Sequence, residues 1–263
     1  MRGPALRLLL YTGIVLGARA QQFTWSSPIA TDRPAVTDSS AVVPKGALLF
    51  ENGFLDTSAQ SVDTADFPET LVRFGLTSAT ELRLTVPDYY DVVNVPPLML
   101  YEALHPSGFG DLEIGAKQQI VNSARFQLAG VLSLTMPTGA RGISSGEYDP
   151  SLQFPWSGKL TSNWTAAGML SVYATAQNGT RGALGETTFL IDRQLTKPWD
   201  AFIEYAGDFP NSGGPRHLLH LGTAYKITPR QQLDFHVGFG LSSAAVNHFV
   251  GVGYSFCFGL KKK

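Results

Sequence analysis

From Gly46 onward the chain alternates apolar and polar residues in blocks of about ten, the length a tilted membrane-spanning strand requires. The last block, Asn247 to Phe258, is the clearest. His248, Val250, Val252, Tyr254, Phe256 and Phe258 fall on one side at period two, and Gly251, Gly253, Ser255 and Cys257 on the other. A bulky aromatic face opposite a small polar one suits a strand with lipid outside and a lumen inside. Twelve such blocks are predicted: 46–56, 69–77, 80–88, 109–121, 126–137, 151–160, 163–175, 186–195, 199–208, 216–227, 231–241 and 247–258. In the third, Leu82, Leu84 and Val86 oppose Glu81, Arg83 and Thr85; in the eleventh, Leu233, Phe235, Val237 and Phe239 oppose Gln232, Asp234, His236 and Gly238. Blocks eight and ten are less clean, because their registers turn Leu190 and Leu218 inward.

The connections add an independent signal. After odd-numbered blocks they run long (57–68, 89–108, 138–150, 176–185, 209–215), and after even-numbered ones they are tight. That alternation marks an outer-membrane barrel, with short periplasmic turns and longer external loops. The predicted fold is therefore all-β, a transmembrane antiparallel up-and-down β-barrel of about twelve strands, residues 46–258. Aromatic girdles are expected at the periplasmic ends (Phe126, Trp164, Trp199, Phe258) and the external ends (Tyr89, Tyr90, Phe109, Phe154, Phe209).

Composition agrees. Charged residues are 16% of the 263, fewer than in a typical soluble domain, with 27 glycines, 16 Phe and 9 Tyr. A net charge of −1 excludes a nucleic-acid footprint. Residues 1–20 read as a secretory signal peptide: Arg2 and Arg7, an apolar core Leu8 to Gly17, and the cleavage pattern Ala18-Arg19-Ala20. Residues 21–45 are polar and aperiodic, an irregular segment before the first strand, and 259–263 form a short basic tail. The single cysteine, Cys257, leaves no disulfide framework and reads as a small lumen-facing packer. No later segment offers enough uninterrupted apolar residues for a helical span, which leaves a closed barrel as the way across a bilayer.

Several stretches resemble a known family. Thr31-Asp32-Arg33-Pro34, Gly46 to Phe54, Glu69 to Thr85, Gly108 to Ile120 and Leu132 to Gly139 are similar, in order and spacing, to outer-membrane transporters named for the meta-cleavage pathway of phenol degradation. The resemblance implies an outer-membrane barrel in a Gram-negative-type cell and passage of small, hydrophobic or aromatic compounds. Its partners are then the lipid bilayer, small-molecule solutes and the barrel-assembly machinery. The lysine tail beyond Phe258 leaves the assembly signal slightly internal.

The inward charges are the candidate site: Glu51, Arg73, Glu81, Arg83, Glu113, Lys117, Lys159, Glu204, Asp234 and His236, expected to line a pore. Opposed charges across a narrow lumen create a transverse field that limits ion flux. The competing reading is that they pair off and fill a barrel of intermediate size. Arg83 and Lys117 are expected to give weak anion preference, and the loop 89–108, with its apolar run Val95 to Leu104, either to fold inward as a constriction or to gather hydrophobic solutes at the mouth. His217 and His220, three apart in a strand, point to opposite faces and cannot share a metal ion. His236 beside Asp234 is the start of a hydrolase site, and barrel-embedded hydrolases exist. Yet His105-Pro106-Ser107 and Ser242-Ser243 supply no paired nucleophile motif, so neither catalytic residue, metal nor cofactor is expected. The glycines of Gly238-Phe-Gly240 and Gly251-Val-Gly253 lack a nucleotide-binding context and suit a crowded interior face. Asn163-Trp-Thr165 and Asn178-Gly-Thr180 match the glycosylation pattern, which carries no weight in a bacterial outer membrane. A passive small-molecule channel is the expected function. The alternatives are a closed barrel that is structural or binds through loops 89–108 and 138–150, and a secreted soluble β protein.

Overall fold

The computed structural model describes residues 28–60, 62–94, 107–177 and 180–259. The expected signal peptide (1–20), most of the basic tail and the apolar run Val95 to Leu104 lie outside the described residues. Fifteen strands follow in order: β1 (Ala47–Ala59), β2 (Val62–Phe67), β3 (Leu71–Gly75), β4 (Thr80–Thr85), β5 (Tyr89–Asn94), β6 (Gly108–Phe109), β7 (Leu112–Asn122), β8 (Phe126–Met136), β9 (Asp149–Lys159), β10 (Trp164–Gln177), β11 (Thr180–Thr196), β12 (Trp199–Pro210), β13 (Arg216–Thr228), β14 (Gln231–Gly240) and β15 (His248–Gly259). All pair antiparallel, and β15 closes on β1 from Ala47↔Gly259 to Ser58↔His248. The described strands close into a barrel, the sheet form that can satisfy its backbone groups in hydrocarbon.

Fifteen strands make twelve wall positions, because three wall strands are broken in two. The lower half of β1 pairs with β3 and its upper half with β2. β4 and β5 likewise make one position, as do β6 and β7. The breaks fall at 68–70, 86–88 and 110–111, at neighbouring levels of the wall. Pro68 and Pro87 have no N–H to give the ladder. Single bonds bridge the gap: Gly53 N to Pro68 O (2.6 Å), Val86 N to Thr70 O (2.9 Å) and Gly110 N to Asp88 O (2.8 Å).

The tight turns fall where the pattern put them, but three of the expected long loops do not. Residues 57–68 are mostly the end of β1 and β2, 89–108 opens with β5, and 176–185 is mostly the ends of β10 and β11. These strand extensions carry polar residues on both faces (Asp56, Thr57, Ser58, Asp63, Thr64). Period-two contrast disappears there because neither face meets lipid.

The faces of the membrane-level strands agree with the pattern. In β15, Phe249, Gly251, Gly253, Ser255 and Cys257 are buried while Val250, Val252 and Phe258 are exposed. Leu190 and Leu218 do point inward, in the weaker registers. Phe126, Trp164 and Trp199 stand exposed at the tight-turn end, and Phe109, Tyr148 and Phe209 at the other. So continuous an outward apolar band has no aqueous partner. The refolded protein should stay monodisperse only in detergent. Size-exclusion chromatography in plain buffer should show aggregation, and a monodisperse species keeping its β circular dichroism would contradict the membrane reading.

Candidate functional site

The chain's own residues 28–45 run through the lumen. This aperiodic segment starts at the tight-turn end, where Ile29 N donates to Pro229 O, and returns there, where Gly46 N donates to Gly75 O. Between those points it crosses the interior to β11 and β12, then to β8 and β9, and back to β4. It joins no strand. The wall supplies side chains that receive its backbone.

Asp32 is the hub. Its carboxylate forms an ion pair with Arg73 Nη1 (3.0 Å) and accepts from Lys117 Nζ (2.9 Å) and Arg83 Nη1, and Ser39 N caps it at 2.9 Å. Arg73 is fully buried and held on its other sides by Glu81 (Nε to Oε1, 2.8 Å) and Glu51 (3.0 Å). Asp38 adds a second carboxylate at 3.1 Å from Arg83. Glu51 receives the N–H groups of Asp32 and Arg33, each at 2.9 Å, and Glu81 that of Val43 at 2.7 Å. The wall carboxylates thus face both ways, to wall cations and to segment amides. Charges this deeply buried persist only when each has such partners.

On the opposite wall Glu204 plays the same part. It accepts from Val36 N (2.9 Å), Thr37 N (2.8 Å) and Thr37 Oγ1 (2.6 Å), and pairs with His220 Nδ1 at 2.8 Å. His220 Nε2 lies 3.0 Å from His236 Nδ1, and His236 Nε2 lies 3.4 Å from Arg33 Nη2. One set of neutral tautomers satisfies the whole chain: Arg33 donates to His236, His236 to His220, and His220 to Glu204. The Arg33 guanidinium also reaches Glu69 (2.5 Å), Asp234 (3.3 Å) and Val252 O (3.2 Å). It lies between Gly53 and Gly253, where a Cβ at either position would overlap it. Ser40 Oγ meets Ser157 Oγ at 2.8 Å.

Asp32, in the segment rather than a spanning strand, titrates well below the ordinary carboxyl value. Burial alone would raise it, but Arg73, Lys117 and Arg83 outweigh that. A lowered value means that its contribution is complete above 3.8 and is lost as pH falls toward the lowered value. The difference in seating between wild type and Asp32→Asn should therefore be constant from about pH 8 to about pH 5, and shrink only below the ordinary value. Amide exchange of the segment, corrected for intrinsic rates, measures it.

Of the ten residues expected to line a pore, all face the interior. Glu51, Arg73, Glu81, Arg83, Lys117, Glu204, Asp234 and His236 touch the segment. Glu113 instead accepts from Thr135 Oγ1 at 3.2 Å, and Lys159 stands exposed at the tight-turn rim. His217 faces outward against Tyr205, away from His220. Ser107 donates to Asp91 at 3.0 Å. Nearer the external end, Gln153 donates to Tyr173 (2.8 Å) and Tyr173 to Glu186 (3.0 Å). The sequence reading missed the segment's own functional residues, Asp32, Arg33, Thr37, Asp38 and Ser40. Their signal was a charged Asp32-Arg33 pair within an otherwise irregular stretch beside a barrel rich in inward charge.

A family model described as "Putative MetA-pathway of phenol degradation" matches residues 31–258. Among solved structures, an outer membrane channel from Pseudomonas putida F1 superposes with a TM-score of 0.66 at 15% identity, covering 86% of this chain and 100% of that one. The KdgM porin superposes with a TM-score of 0.54 at 12% identity, covering 81% and 99%. Both likenesses are of fold. No curated protein sequence matches the chain.

Proposed function

The chain belongs to the family described as "Putative MetA-pathway of phenol degradation", and on that premise we propose that it is an outer-membrane channel for passive passage of small molecules, governed by its N-terminal segment. The observation that carries this reading is the mode of seating. Residues 28–45 are held by side chains of the wall and contribute nothing to the strand ladder. The segment can leave without costing the barrel a single inter-strand bond.

The ten inward residues then have two roles. With the segment seated, most of them are its sockets; with it displaced, Glu51, Arg73, Glu81, Arg83, Lys117, Glu204, Asp234 and His236 face water and line the pore beside Glu113 and Lys159. The anion preference expected of Arg83 and Lys117 belongs to that displaced state, since Asp32 and Asp38 neutralise both cations when seated. The family's name supports small, hydrophobic or aromatic compounds as solutes. Export, residence in the outer membrane and insertion through the assembly machinery by way of the Phe258 end complete the proposal. We read no enzyme here, since His236 is engaged by His220 and Arg33 rather than by a nucleophile.

The thoroughness of the seating favours one competing reading, a permanently closed structural barrel. Liposome swelling with sugars, amino acids and small aromatics separates the two. A channel admits at least one class faster than protein-free liposomes; a closed barrel admits none.

A further inference from the structure

We propose that the Arg73–Arg83–Lys117 cage is a binding site for the carboxylate of a small solute with an apolar body, which Asp32 occupies in the resting barrel; this rests on the channel reading above. Asp32 touches the cage as any carboxylate would. One oxygen meets Arg73 (3.0 Å) and Lys117 (2.9 Å); the other meets Arg83 and Lys117 (3.2 Å). This is the two-oxygen geometry that charged donors recognise best. Each cation also has a wall partner: Glu81 and Glu51 hold Arg73, and the same Glu81 lies 3.3 Å from Arg83 and 3.8 Å from Lys117. Within the wall, three cations face those two carboxylates, so the empty cage keeps room for one more negative charge.

What lies beside the cage sets the rest of the ligand. Leu49 is the register partner of both Arg73 and Cys257, and Ala47, Leu49 and Cys257 form an inward apolar patch that Ile29 and Val43 of the segment cover. Departure of the segment bares the patch and the cage together. A ring on the patch would place its carboxylate among the three cations.

The test uses the full chain refolded in detergent, with benzoate against benzamide, its neutral isostere, by isothermal titration. Asp32→Asn should bind benzoate about a hundredfold more tightly than wild type. Benzamide should bind neither, and adding Arg83→Gln should abolish the gain. Equal binding of the two probes, or indifference to Arg83→Gln, overturns the site. Should Asp32→Asn fail to refold, the wild type decides: benzoate but not benzamide should speed amide exchange over Asp32 to Thr37, and no difference overturns the proposal. Planar-bilayer conductance of the same preparations reads the channel separately. Silence there, with selective benzoate binding, sinks the channel and upholds the site.

Discussion

Replacing Asp32 with asparagine should raise the fraction of barrels with a displaced segment by about two to three orders of magnitude. The side chain keeps its size and its bond from Ser39, but Arg73, Arg83 and Lys117 lose the charge they share. Removing one partner from a buried ionic cluster costs roughly 3–5 kcal/mol, and each 1.4 kcal/mol is about tenfold in an equilibrium. The wall ladder is untouched, so the barrel's β circular dichroism should be that of wild type. Single-channel recording should show long open dwells where wild type shows rare ones. An unchanged open fraction would mean that the seat rests elsewhere.

The second large effect should come from a residue with no side chain. Gly253→Val fills the slot that holds the Arg33 guanidinium, against both Arg33 and Asp234. Overpacking of this kind costs roughly 1–3 kcal/mol, and here the atoms that must give are the flexible side-chain ends of Arg33 on the segment and Asp234 on the wall. Arg33 should lose Asp234, Glu69 and His236 together while Asp32 stays caged. Conductance should therefore rise by about one order of magnitude, less than for Asp32→Asn. Pairing Gly253→Val with Arg33→Ala should restore the seat in part, because the guanidinium no longer needs the slot. A fully additive pair would place the effect in β15 itself.

The barrel was legible because lipid imposes period two along most of the membrane-level strands. Val250, Val252 and Phe258 had to face outward, and Gly251, Gly253 and Ser255 inward. The inward set was legible for the same reason, since parity places Arg73, Arg83 and Lys117 on one wall. What parity cannot carry is the occupant of the lumen. Residues 28–45 have no period because their contacts are spread over many strands rather than one partner, so Asp32 and Thr37 look like ordinary loop residues until Arg73 and Glu204 are seen beside them. The broken positions were hidden too: block 80–88 ran straight through Pro87 and Pro68 fell in the loop 57–68, whereas each lies at a break with wall strands on both sides of it. Extensions such as β2 lost their contrast where water bathes both faces.

The account stands on movement of the segment, and Ser40 and Ser157 allow that movement to be switched off. Their hydroxyls lie 2.8 Å apart, close enough for Ser40→Cys and Ser157→Cys to form a disulfide once Cys257 is replaced by serine. Liposome swelling on a small solute should be slow with the bond closed and return to the wild-type rate on adding reductant. Equal rates in the oxidised and reduced states would contradict a segment that governs passage.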